Sequence, residues 1–503
     1  MQLNFVGWHG LLVIIFYALF ILCTTVYFSY SKTLRDSLKG FYLGGKGLGV
    51  LLLFFTLYAT QYSGNTVIGY APKAYRMGYA WFMSVPYMIL VIAGYLLFAP
   101  RLHVIAKKFN FVTPADWFDK RFGSNAVTLV ATILMVYALG NYLLEQLIAM
   151  GHAIAGITAG VIPYTWGVLF LVIIMLIYEW LGGLKAVAIA DTINGIMLML
   201  GLFGFLIMVF NTFGGLTDAA HYMIENVPKK IGVPPLSVSQ TWLSLYILVG
   251  IGAAVYPHAI QRIYAAENER TLKRSLSRMA WMPFITTGVA LIIGLIRIKA
   301  FPGLGKMESE QLVGMMANVI ASKSVFHYWV MMLLFAGIIG AIMSTADSVI
   351  LSFSSLISND IYGRFINPKA NEKKKVFWGK IIGICVVFLL LFIAWNPPGT
   401  LFEIFVLKFE ILIQIAPAFL LGLYWKRMTK SSVLVGMIVG AVIASGMTLT
   451  GMKTFHGWYS GIIGLAINML ICVVGSLLFP ESTDEQQKVE QLFSSREFTG
   501  FNA

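Results

Sequence analysis

Residues 53–70 read LFFTLYATQYSGNTVIGY. The leading half is apolar enough to enter a bilayer. From Thr60 to Thr66, however, Thr, Gln, Ser, Gly and Asn crowd the middle of the run. Unwound backbone at that depth is tolerable only where it is buried in protein or lines a water-filled cavity. Residues 250–261, GIGAAVYPHAIQ, repeat the pattern five spans later, with glycines and Pro257 at mid-depth beside His258 and Gln261. Either segment alone reads equally well as an ordinary Pro/Gly kink. Two interrupted spans at a matched offset point instead to an inverted-repeat transporter with its site at the midplane.

Composition agrees. The chain has 503 residues, 58% hydrophobic and 12% charged, against roughly 25% charged in soluble domains. A polytopic membrane protein follows; a disordered tail, collagen or a disulfide-stapled module does not. The net charge of +14 comes from short basic clusters between apolar runs, so it argues for topology-setting loops and against nucleic acid. Cys23, Cys385 and Cys472 all lie within apolar stretches and read as small buried hydrophobes.

At about 20 apolar residues per crossing, the chain holds about thirteen spans. A leading helix covers 8–30. Ten more follow at 48–70, 79–99, 126–156, 164–181, 186–210, 241–261, 279–298, 326–357, 376–394 and 400–424, and two trailing helices lie at 431–450 and 457–479. This predicts one transmembrane transporter domain over 1–480, with an inverted-repeat core at 48–424 and a polar tail at 481–503. The first run lacks a basic leader region, so no cleavable signal is expected. Alternate loops carry the basic clusters, including Lys39 and Lys46, Lys107 and Lys108, Arg262 to Arg278, Arg364 to Lys375, and Lys426 to Lys430. The opposite loops hold fewer, such as Lys73, Lys229 and Lys306. That bias predicts N-out, C-in.

The ninth span contains AIMSTADS, Ala341 to Ser348. Ala341, Ser344 and Thr345 fall on one helix face and offer a carbonyl and two hydroxyls. The broken second span adds the carbonyls of Ala59 and Tyr62. Neutral oxygens of this kind suit a desolvated alkali cation, although Ser and Thr equally bond their own helix or glue helices together. Ionisable residues at membrane depth mark function by default. Asp191 opens the sixth span, Asp347 sits in the ninth, Glu145 in the fourth, Glu179 near the end of the fifth, and Lys408 and Glu410 in the eleventh. Asp191 and Asp347 are placed to share a cation or a proton. Lys408 is neutralised either by Glu410 or by Glu145, and a structural ion pair fits as well as a functional one.

The segments ATQYSG (59–64), GGLKAVAIADT (182–192), AIMSTADS with SNDIY (358–362), and PHAIQR (257–262) together resemble the sodium:solute symporter family. That family includes bacterial proline, pantothenate and sialic-acid carriers and animal sodium/glucose cotransporters, and the resemblance spans nearly the whole chain. It implies an all-α, leucine-transporter-type fold: a five-plus-five inverted repeat with one leading and two trailing helices. It maps a shared sodium site onto Ala59, Tyr62, Ala341, Ser344 and Thr345, and a second cation site onto Asp191, Ser344, Asp347 and Ser348. Gln61, Ser63 and Thr66, with Trp81, match substrate positions. Glu145, Tyr256, His258, Gln261 and Lys408 join them as candidates from the broken and charged spans. Gln61 stands where proline carriers have Asp, and FNFVTPAD (109–116) is similar to the pantothenate branch.

The expected activity is sodium-coupled symport of a small polar organic solute: an amino acid such as proline, a pantothenate-like carboxylate or a sugar. Sodium is co-transported, the surroundings are lipid, and no organic cofactor, nucleic acid or obligatory protein partner is expected. A proton-coupled permease using Asp191, Asp347 and Glu145 is the main rival. A channel would need a filter-like repeat. An enzyme would need a clustered catalytic set such as HExxH or GxSxG; neither is visible.

Overall fold

The computed structural model describes residues 8–29, 37–63, 66, 68–158, 160–181 and 183–493. Gly64, Gly182 and the side chain of Glu179 lie outside the described residues. The architecture is almost entirely helical, with one short hairpin pairing Thr454–Phe455 with Trp458–Tyr459. In chain order the main helices are α1 (Trp8–Ser29), α2 (Val50–Gln61), α3 (Tyr70–Met77), α4 (Ser84–Phe109), α5 (Asn125–Ile157) and α6 (Tyr164–Leu181). They continue with α7 (Leu184–Phe213), α8 (Leu236–Ala254), α9 (Pro257–Ala265), α10 (Glu269–Met279), α11 (Gly288–Ala300) and α12 (Val325–Ser355). The last are α13 (Glu372–Trp395), α14 (Leu401–Leu412), α15 (Lys430–Leu449) and α16 (Ser460–Leu478). Among the described residues nine helices are long and apolar enough to cross a membrane, or ten if a pair bent by 41° (Leu401–Ile415 and Pro417–Tyr424) counts as one span. The protein is therefore a multi-pass integral membrane protein.

The leading and fifth expected spans form helices over Trp8–Ser29 and Tyr164–Leu181, whereas the second gives only a short apolar helix, Val50–Gln61. For the second span the cause is the break itself. The helix stops at Gln61; Thr66 and Ile68 are helical again, and α3 begins at Tyr70. The carbonyls freed by unwinding are taken by side chains from other helices: Thr60 O accepts from the Tyr142 hydroxyl at 2.9 Å, and Ala59 O from Thr345 Oγ1 at 2.9 Å. Buried backbone groups need such partners. The seventh span breaks between Ala254 and Pro257. Proline has no N–H to continue the ladder but suits the first turn of a new helix. Ala253 O then accepts from the Tyr95 hydroxyl at 2.8 Å.

The helices α7 and α12 pack at close range through small residues. A Cβ added at Gly337 would lie 2.7 Å from Leu198 Cα, and one at Gly201 would lie 2.6 Å from Leu334 Cα. Glycine lets the two backbones approach where lipid offers no hydrophobic drive to bring them together. This packing brings Asp191 on α7 against Ser344 on α12. At one end of the bundle Arg364 pairs with Asp119 at 2.6 Å. Nearby, buried Arg121 donates to the carbonyls of Gly422, Trp425 and Lys426 at 3.0 to 3.1 Å. Burial holds its guanidinium down at about 10, still charged at neutral pH.

Candidate functional site

Thr345 Oγ1 lies 2.9 Å from Ala59 O and 2.9 Å from Ala341 O, all three residues fully buried. A hydroxyl has one proton and can donate to one carbonyl at a time. The two carbonyls therefore converge on a single hydroxyl, which joins the end of α2 to the middle of α12. Ser344, one position earlier, donates to Asp191 Oδ1. Its remaining lone pairs keep it an oxygen donor. Tyr62 is buried where α2 ends, with φ −109° and ψ 74°. Hard, neutral oxygens from a broken helix and a facing helix form a donor set suited to a monovalent cation.

Beside it lies a charged cluster. The Asp191 carboxylate accepts from Thr56, Ser344 and Arg262, the last at 3.5 Å. Arg262 is fully buried; its Nε donates to Thr56 Oγ1 at 2.8 Å, Nη1 to His258 O at 2.9 Å, and Nη2 also to Ser348 Oγ. From sequence Arg262 belonged with the loop cations. The structure instead places it inside, against Asp191 and Ser348. Asp347 is buried on α12, close to one turn beyond Ser344.

The third element is a narrow cleft at the unwound end of α2, with room for about one water as it stands. Gln61, Ser63, Thr66, Glu145, Tyr256 and Lys408 line it, as do Tyr70, Met88, Tyr142, Val249, Phe405 and Phe409. Lys408 Nζ pairs with Glu145 Oε2, both side chains buried. The ammonium sits 3.5 Å from the Tyr142 ring centroid and 4.7 Å from that of Phe405, within cation–π range. Glu410 takes no part. Two residues apart on a helix, it points away from Lys408 and accepts from Thr448 Oγ1 at 3.0 Å on a trailing helix. The choice of neutraliser for Lys408 thus falls on Glu145.

Three substrate candidates stand back from the cleft. Trp81 packs edge-on against Tyr70 at 5.5 Å and Phe402 at 5.0 Å. His258 lies against the rings of Tyr256 and Tyr142, at 4.7 and 5.4 Å. Gln261 bonds Ser352 and Ser355. The aromatic walls were missed because Tyr142, Phe405 and Phe409 in apolar spans look like ordinary core. The usable signal was Tyr142, three residues before Glu145 and so on the same helix face.

The model of the sodium:solute symporter family matches residues 41–440. An osmoregulated proline transporter of Bacillus subtilis is 26% identical, covering 90% of this chain and 91% of its own. A sodium/proline symporter of Haemophilus influenzae is 28% identical over 92% and 93%. A sodium/pantothenate symporter of Escherichia coli is 25% identical over 93% and 96%. Among solved structures, the substrate-bound outward-open state of a Na+-coupled sialic acid symporter superposes with a TM-score of 0.78 at 19% identity, covering 95% of this chain and 99% of that one. That likeness shows a shared fold. With bacterial symporters as relatives and nine apolar helices, the protein is a plasma-membrane transporter, not an enzyme. The family model covers most of the chain, and the chain belongs to the sodium:solute symporter family.

Proposed function

We propose that the protein is a sodium-coupled symporter that imports a small polar organic solute by alternating access. The observation that carries this is the convergence of Ala59 O and Ala341 O on Thr345 Oγ1, each at 2.9 Å. Sodium entering from outside sits among Ala59, Tyr62, Ala341, Ser344 and Thr345. The Thr345 hydroxyl keeps its proton and turns a lone pair to the ion, so the ion's charge is shared among five neutral oxygens. The bridge holds the broken α2 against α12 and fixes Gln61 and Ser63 at the wall of the cleft, where the solute binds. Coupling is then reciprocal: sodium raises affinity for solute as much as solute raises affinity for sodium.

The topology that goes with this reading is N-out and C-in, with about thirteen spans and a five-plus-five inverted repeat around the two breaks. Each charge moved inward gains about 2.3 kcal/mol per 100 mV, so the membrane potential adds to the sodium gradient. Loss of sodium to the cytoplasm releases Ser344 and Thr345 and lets the helices rock apart.

The second cation group, Asp191 with Ser344, Asp347 and Ser348, reads differently. Arg262 already supplies the counter-charge to Asp191 and bonds Ser348, so in this conformation the group needs no second sodium. The same pairing weakens the proton-coupled alternative, since Asp191 faces Arg262 and Glu145 faces Lys408. Uptake into proteoliposomes tests the proposal. An inward sodium gradient is expected to drive accumulation at constant pH; a pH gradient driving uptake without sodium would transfer the role to the carboxylates.

A further inference from the structure

Glu410, which leaves Lys408 to Glu145, faces a cavity of its own. That cavity, of about 360 Å3, lies between α14, Thr448 on α15 and the hairpin that follows, with Lys73 of α3 in its wall. Phe402, Glu403, Val406, Leu407 and Glu410 line it, at a spacing that puts them on one face of α14. Phe405, Lys408 and Phe409 line the cleft from the other face. The cavity is therefore separate from the cleft.

Two charges in this cavity have no opposite partner among the described residues. Lys73 Nζ lies over rings, 4.3 Å from the Phe402 centroid and 5.9 Å from that of Trp81. Glu410 is 3% exposed and accepts from Thr448 Oγ1 at 3.0 Å. Glu403, between them along α14, is already taken by Lys306 at 3.1 Å and Lys453 at 3.6 Å. From Phe402 to Glu410 is a little over two turns, about 12 Å along the helix. The free ammonium and the free carboxylate thus stand toward opposite ends of one cavity. A buried charge left alone is costly, and an opposite charge offsets that cost.

We propose that this cavity is a second ligand site, for a linear ω-amino acid whose ammonium meets Glu410 and whose carboxylate meets Lys73. Val406 and Leu407 wall the stretch where the methylene chain lies. An alkyl amine serves Glu410 alone and has to pass the lysines. An alkyl carboxylate serves Lys73 alone and leaves Glu410 unpaired. An α-amino acid has one carbon between its charges, too few to reach both. The ligand is not the cargo. Bound here, it ties α3, which follows the break of the second span, to α14.

The test is a thermal-shift titration of the purified full chain at neutral pH. The probes are 4-aminobutanoate, 6-aminohexanoate and 8-aminooctanoate, with hexylamine and hexanoate as single-charge controls. At least one dipolar probe should stabilise the protein in a saturable way. Each control should bind at least about 10-fold more weakly than the best probe, the scale of one charge-assisted hydrogen bond. Glu410→Gln, whose amide oxygen still accepts from Thr448, and Lys73→Gln should each weaken the best probe by about 10-fold or more. Lys73 holds no ion pair, so its variant folds even where Glu410→Gln does not. No saturable response to any dipolar probe overturns the site. A control that binds as tightly as the best probe overturns the dipolar class. A best probe that binds either folded variant as tightly as the wild type lies elsewhere, and the inference fails. None of these outcomes bears on sodium-coupled symport, which the uptake assay tests separately.

Discussion

Tyr142 and Tyr256 stack nearly parallel, ring centroids 5.2 Å apart and planes 6° apart. Tyr256 sits in the break of the seventh span, and the Tyr142 hydroxyl donates to Thr60 O at the break of the second. One side chain on α5 thus touches both interruptions, and its ring also flanks the Lys408 ammonium. The two broken helices are held to each other through Tyr142.

Tyr142→Phe keeps the stack and deletes the bond to Thr60 O. It should cost about 1 kcal/mol of stability, the net value of one hydrogen bond. Tyr142→Ala removes the ring as well and should cost about 3–5 kcal/mol. Thermal denaturation in detergent reads both. Equal losses for the two variants would show that the stack carries nothing.

Arg262→Gln strands the Asp191 carboxylate in the bundle. The expected loss is about 3–5 kcal/mol. Adding Asp191→Asn should recover much of it, because the stranded charge goes too. A double-mutant cycle measures the coupling. Additive losses would mean that the two groups do not pair.

Gly337→Ala puts a methyl where Leu198 Cα lies 2.7 Å away. Separating α7 from α12 should cost about 1–3 kcal/mol and weaken sodium binding as well, because Ser344 moves with α12. A stability loss with unchanged sodium affinity would uncouple that seam from the cation site.

Much of this was legible before any coordinates. Polar residues stranded in the second span and Pro257 in the seventh located both breaks, because an apolar solvent makes them anomalies. The spacing of Ala341, Ser344 and Thr345 put three oxygens on one face; the structure brings Ala59 O to Thr345, while the Ser344 hydroxyl turns to Asp191. Other features needed three dimensions. Arg262 sits at the end of an apolar run and reads as a loop cation, since nothing local announces that Asp191 waits 71 residues earlier in sequence. Lys408 and Glu410 look like neighbours in the sequence, yet helical geometry sends them to opposite faces. Trp81, His258 and Gln261 are polar-tipped residues near the breaks, but Trp81 and His258 support the cleft from behind and Gln261 bonds Ser352 and Ser355 instead.

The most direct test of the sodium bridge is the apparent sodium affinity, read by thermal shift against choline, of the wild type and of a Ser344→Ala/Thr345→Ala double variant. The bridge predicts that sodium stabilises the wild type in a saturable way, following mass action, and that the double variant folds but behaves the same in sodium and choline. An unchanged sodium response in the double variant would contradict the bridge between Ala59 and Thr345.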